Sequence, residues 1–186
     1  GKGPFYTCSP EFLKPFYEVK GDLQLGVMTD YKRYNANDFP NKSNDFIDFV
    51  RIACHPDKIA ESLNVAEDLH KKGYKIFIQL MEIQNVGADG YIELFQWKNK
   101  NILESLYFAD SYSALKPEDI EKYYNKLKTI GYEKLSFHAH NELGLALENS
   151  LRAAELGCYT IDTTFNGIGR GGGNLKLQEL LENLPC

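Results

Sequence analysis

The sequence predicts an α/β fold built on a parallel sheet covered by helices. Three observations carry this. Runs such as Phe49-Val50-Arg51-Ile52-Ala53-Cys54 and 74–83 are apolar almost throughout, as strands buried on both faces are. Amphipathic segments alternate with those runs. Ser, Pro and Gly fall between them at helix-start and helix-stop positions. Two architectures meet this pattern, an open doubly wound sheet and a (β/α)8 barrel, and both gather function at the C-terminal ends of their strands. Six visible strands in 186 residues fall short of eight strands and about 250 residues, so length alone favours the open sheet.

The elements follow in order. Ser9-Pro10-Glu11 opens a helix, with Ser as N-cap, Pro at the first helical position and an acid in the first turn, and that helix is predicted to run to about Val19. Residues 23–28 read as the first strand, and the polar, Asn-rich 31–42 as a loop with one helical turn. The second strand is 49–54, followed by a helix opened by His55-Pro56-Asp57 and closed near Gly73. The third strand is 74–83 and the fourth 103–109, with Pro117-Glu118-Asp119 opening the next helix. The fifth strand is 135–138. Leu143, Leu147 and Leu151 then mark a helix that ends at Gly157. The sixth strand is 158–162, and 175–184 forms a last helix. Phe5, Tyr6, Phe12, Phe16 and Tyr17 are expected to cover core. No linker divides the chain, so 1–186 reads as one domain.

Composition excludes several classes. The net charge is −5 and no basic run exceeds a pair such as Lys71-Lys72, which argues against nucleic-acid and anionic-membrane partners. No stretch approaches the roughly 18 apolar residues of a membrane span. The first residues hold neither an initiating Met nor an apolar signal core, and they read as the cut end of a longer chain. Cys8, Cys54, Cys158 and Cys186 lack CxxC spacing, which fits a reduced cytoplasmic protein.

The most informative stretch is Phe137-His138-Ala139-His140-Asn141, at a strand-to-helix junction. Strand residues two apart point the same way, so His138 and His140 project together from the strand's C-terminal end. Two converging imidazoles can bind a divalent metal and leave positions for oxygen ligands. The alternative is two histidines satisfied by hydrogen bonds. Further on, Gly167-Ile168-Gly169-Arg170-Gly171-Gly172 has the form of a dinucleotide fingerprint. The acidic residue about 20 positions on, at the end of a further strand, has no place before Cys186. A glycine-rich backbone that approaches a ligand closely, with Asn174 beside it, is the better reading.

With those residues in view, the chain resembles the metal-dependent aldolases and acyl transferases related to HMG-CoA lyase, the DRE-TIM superfamily. The motifs are Phe137-His138-Ala139-His140-Asn141-Glu142-Leu143-Gly144-Leu145-Ala146, Asn149-Ser150, Gly167-Ile168-Gly169 and Gly173-Asn174. Val50-Arg51-Ile52-Ala53-Cys54-His55 and Ala109-Asp110-Ser111 look most like strand ends of 4-hydroxy-2-oxovalerate aldolase. The resemblance covers about 23–184 and implies an α/β fold of the (β/α)8 TIM-barrel type, lacking its first two strands here, against the length argument. The family's first-strand Asp-Arg turn has no counterpart; Asp30 and Arg33 lie on the wrong strand at the wrong spacing.

The resemblance implies a carbon–carbon lyase, an aldolase acting on a 4-hydroxy-2-oxo acid through a metal-held pyruvate enolate. An isopropylmalate synthase-like condensing enzyme using an acyl-CoA, or a non-catalytic partial barrel, are the alternatives. The implied cofactor is Mn²⁺ or Mg²⁺, acting as a Lewis acid. His138 and His140 are its implied ligands, with Asn174 close to the ion. Arg51, at a strand end, is a catalytic candidate that could hold a substrate carboxylate bidentately or form a salt bridge inside the barrel mouth. Asp110 is a candidate acid behind the ligands or a helix cap. Two open sheet edges, at 23–28 and 159–162, lead to the expectation of a homodimer.

Overall fold

The computed structural model describes residues 8–184 with the exception of 45, so Phe5, Tyr6 and Cys186 lie outside the described residues. Helix α1 (Pro10–Val19) starts as expected, with the Ser9 side chain accepting from the Phe12 N–H. Strand β1 (Gly26–Asp30) leads through a short 3-10 turn at Ala36–Asp38 to β2 (Phe49–Cys54). Then come α2 (Ile59–Lys71), β3 (Lys75–Leu80), α3 (Ala88–Gln96), β4 (Leu103–Asp110), α4 (Pro117–Thr129), β5 (Leu135–Ala139), α5 (Ala146–Glu155) and α6 (Leu177–Asn183).

The first strand lies at Gly26–Asp30 rather than 23–28, the third is trimmed to Lys75–Leu80, and two further elements depart more from expectation. Helix α3 carries no strong signal: Gly87 stands at its N-cap and Gly90 inside it, both poor helix formers. Burial of Tyr91 and Leu94 against the rest of the molecule selects it instead. The expected sixth strand forms no ladder of its own. It runs beside β5 through the Phe137–Ile161 bridge, with Phe137 N–H donating to the Thr160 carbonyl at 3.0 Å.

The strand order decides between the two architectures. All neighbours pair in parallel, and the order is β1-β2-β3-β4-β5, the order of the chain. A doubly wound sheet reverses direction at a switch point, whereas a barrel keeps adding strands on one side. Curvature agrees. In a flat sheet, strands four positions apart lie about 19 Å from each other. Yet Arg51 of β2 meets Asp162, beyond β5 and 111 residues away, side chain to side chain. The sheet is therefore rolled, and the fold is a part-barrel of the (β/α)8 type.

The strands sort their residues by face. Val50, Ile52, Ile76, Ile78, Leu106, Phe108, Leu135 and Phe137 are buried, and they pack with helix residues such as Leu63, Leu69, Ile120 and Leu127 in one core. Arg51, Gln79, Tyr107, Ser136 and His138 lie on the other face, which lines the barrel interior. Phe12 packs against the core edge, while Phe16 and Tyr17 are more exposed than expected, at 43% and 41%. No described helix is long and apolar enough to cross a membrane. Cys54 and Cys158 are free thiols.

Candidate functional site

The C-terminal strand ends are tied into a rim by their loops. The Glu82 N–H donates to Ser111 Oγ at 3.0 Å, and the Glu142 N–H to Ser113 Oγ at 2.8 Å. The Asn141 N–H donates to the Gly173 carbonyl at 2.8 Å. His140 and Asn174 then form an isolated antiparallel bridge. The glycine-rich turn is thus docked on the end of β5. Gly172 makes the docking possible, since a Cβ there would sit 2.3 Å from the Glu142 Cα.

His138 and His140 come together as their spacing predicts, with ring centroids 5.1 Å apart. His138 Nδ1 lies 2.9 Å from Asp162 Oδ2, and His140 Nδ1 lies 3.3 Å from the Arg170 carbonyl. In both rings the protein engages Nδ1, so Nε2 is the nitrogen left for a ligand. Burial, reinforced by the neighbouring His138, pushes the His140 imidazole below its ordinary pKa, which favours the neutral, ligating form. Asn174 donates through Nδ2 to the Ile168 carbonyl at 3.3 Å, while its Oδ1 is buried with no hydrogen-bond partner. A buried acceptor of this kind costs about 1–3 kcal/mol unless something satisfies it.

Two imidazole nitrogens and an orphaned amide oxygen fit a divalent cation that prefers mixed nitrogen and oxygen ligands. They supply no negative charge. Among the described residues no three His, Cys, Asp or Glu side chains are grouped to hold a metal. Asp30 is committed elsewhere: its carboxylate accepts from the backbone N–H groups of Lys32 and Arg33 at 2.9 Å each and pairs with the Arg33 side chain.

Arg51 is inside the barrel, and its fork faces protein. Nη1 and Nη2 both engage Asp162, the latter at 3.0 Å, and Nη1 also donates to Gln79 Oε1 at 3.3 Å. The guanidinium lies 4.0 Å from the centroid of the Tyr107 ring. Of the two arrangements open to Arg51, the salt bridge in the barrel mouth is the one formed. Asp110 is fully buried, and its two oxygens accept from the backbone N–H groups of Ala114 and Leu115 at 2.9 and 3.1 Å. It caps the loop before α4, and burial raises its pKa despite those bonds.

Asp162, Tyr107 and Gln79 were not singled out from sequence. A signal existed for Asp162, the last residue of a predicted strand and therefore at the functional end. Burial works against its charge, but hydrogen bonds from His138 and Arg51 hold its carboxyl below the usual range.

The HMGL-like family model matches residues 50–185, which include every one of these strand ends from β2 onward. The chain belongs to the HMGL-like family. It is 25% identical over 185 residues to an oxaloacetate decarboxylase of Mycobacterium tuberculosis, covering 98% of this chain and 54% of that protein. It is 28% identical over 174 residues to a 4-hydroxy-2-oxovalerate aldolase of Carboxydothermus hydrogenoformans, covering 92% of this chain and 51% of that one. This HMGL-like chain thus spans about half the length of the curated relatives it matches. Its fold matches the crystal structure of an N-terminal domain from Bacteroides vulgatus with a TM-score of 0.86 at 24% identity, over 98% of this chain and 62% of that one.

Proposed function

We propose that this chain forms the greater part of the catalytic barrel of a divalent-metal-dependent carbon–carbon lyase. Its substrate is a 4-hydroxy-2-oxo acid, which it splits into pyruvate and an aldehyde. The observation that carries the reading is the convergence of His138 and His140 at the C-terminal mouth of the barrel, with Asn174, whose Oδ1 is buried without a partner, held beside His140 by a backbone bridge. The names of the two curated relatives support it. An oxaloacetate decarboxylase and a hydroxy-oxovalerate aldolase both break the bond one carbon beyond the keto group of a 2-oxo acid, and both release pyruvate.

His138 and His140 would hold the ion through Nε2, and Asn174 through Oδ1. Bound there, Mn²⁺ or Mg²⁺ supplies Lewis acidity to the keto and carboxylate oxygens of the substrate. The protein's own part is to present the paired imidazoles, fix their orientation from behind, and keep the docked glycine turn against them. Arg51 supports the site through Asp162, and Asp110 shapes the loop after β4. The working molecule is proposed as a homodimer in a reduced cytoplasmic compartment.

The test has two arms. Mn²⁺ binding followed by calorimetry should be abolished in the His138→Ala/His140→Ala double variant, and unchanged binding sinks the metal reading. Pyruvate release from a 4-hydroxy-2-oxo acid, coupled to a dehydrogenase, should disappear in EDTA. Turnover that requires an acyl-CoA and ignores every hydroxy-oxo acid would establish the condensing-enzyme alternative. Failure of both arms would favour a non-catalytic barrel.

A further inference from the structure

The barrel interior holds a polar network behind the proposed ligands. Asp162 sits at its centre. Its Oδ1 faces Arg51 Nη2 at 3.0 Å, and its Oδ2 faces both Arg51 Nη1 and His138 Nδ1, the latter at 2.9 Å. Arg51 is pinned in turn by Gln79 and by the face of Tyr107. Tyr107 Oη lies 2.6 Å from Thr160 Oγ1, which donates to Ser136 Oγ at 2.7 Å, and Ser136 Oγ lies 2.6 Å from Ser105 Oγ. Strands β2, β3, β4 and β5 and the chain beyond them all contribute a group. The network leads from the interior hydroxyls to one nitrogen of His138.

An arginine cannot lose its proton in a protein, and an ionised carboxylate has only acceptors to offer. His138 Nδ1 must therefore donate. A neutral imidazole free in water prefers the opposite form, with the proton on Nε2, so this tautomer is imposed by the protein. The hydrogen bond made by one ring nitrogen decides which nitrogen is left to bind metal.

We propose that Asp162 is a positioning residue that fixes His138 with its proton on Nδ1 and its lone pair on Nε2, and that Arg51, braced by Tyr107 and Gln79, holds Asp162 for that task. The proposal rests on the reading of His138 as a metal ligand, and it assigns the carboxylate–imidazole support that such ligands need. The arrangement also accounts for an arginine inside the barrel whose fork is turned to protein.

Nitrogen-15 NMR of the histidine side chains, on protein stripped of metal and held above neutral pH, reads the tautomer directly. His138 should show a protonated Nδ1 and a bare Nε2. In Asp162→Asn the tautomers should mix, and Mn²⁺ affinity should fall about 10- to 100-fold. Arg51→Lys should shift the mixture in the same direction by less. A wild-type spectrum with the proton on Nε2 overturns the proposal, and so does a folded Asp162→Asn variant with unchanged tautomer and affinity. The wild-type spectrum needs no variant, so a misfolded mutant leaves the test intact. Unchanged Mn²⁺ binding in His138→Ala strikes the ligand reading alone, because the tautomer is read without metal.

Discussion

His140 and Asn174 face each other across an isolated antiparallel bridge, 34 residues apart in sequence, and this joins the glycine-rich turn to the strand end that carries both imidazoles. Gly173 makes the turn possible. Its φ is +89°, and an added Cβ would lie 2.3 Å from the Gly167 carbonyl oxygen. Gly173→Ala should therefore cost about 1–3 kcal/mol of stability. It should also weaken Mn²⁺ binding by moving Asn174 away from the histidines. Denaturant titration and calorimetry on the same sample check both, and wild-type values in both would show that the turn does not position Asn174.

Phe137 stands one residue before His138, is fully buried, and packs on Phe108 with ring centroids 5.0 Å apart. Truncation to Ala leaves a cavity under the strand that carries His138. A loss of about 3–5 kcal/mol in urea unfolding is expected. A loss below 1 kcal/mol would mean that the strand is not anchored by this pair.

Arg51→Met keeps the bulk and removes the charge, leaving Asp162 largely buried without its cation. The expected loss is about 3 kcal/mol. Arg51→Lys keeps the charge without the planar fork and should lose less. Thermal melts of the two variants should therefore rank Met below Lys below wild type, and the reverse order of Met and Lys would make packing rather than charge the function of Arg51.

The Asp162 carboxyl is held below its ordinary value by His138 and Arg51 against the opposing effect of burial. The sign follows. Its contribution to stability is fully present above the unfolded carboxylate value of about 4 and is lost as pH falls through the lower folded value, because in between the unfolded chain binds more protons. Urea midpoints measured from neutral to strongly acid pH should fall below about pH 4 more steeply for the wild type than for Asp162→Asn. Parallel curves would mean that the ion pair contributes nothing there.

Among the described residues strand β1 is an edge of the sheet, and beside it Leu13, Leu25, Val27 and Met28 line an apolar groove of about 280 Å³. Met28 is 55% exposed. An unpaired edge with apolar neighbours invites a partner. Sedimentation of the 186-residue chain should show self-association, and a folded single chain with cooperative unfolding would overturn the expected homodimer.

Much of the barrel was legible from local chemistry. Ser9-Pro10 opens α1 because the cap and the proline act within one turn, and the 49–54 run matches β2 to the residue because burial on both faces leaves its pattern in the side chains. The His138–His140 pair was legible for the same reason, since a two-residue period places neighbours on one face whatever the rest of the fold does. Helix α3 was not, because its glycines weaken the local preference and tertiary burial selects the helix.

The sequence by itself determined the alternation of strands and helices, the paired imidazoles and the close-packed glycine turn, all of which arise from residues near one another in the chain. Residue patterns left open sheet and barrel both standing, with the barrel favoured only by the family resemblance; the tertiary structure shows the sheet rolled, and it alone decided that the Arg51 fork meets Asp162 and that Asp110 caps a loop. Those outcomes depend on which strand lies beside which and how far the sheet curls. Arg51 and Asp162 are 111 residues apart, and the contact between them exists only once the sheet between them has closed the distance.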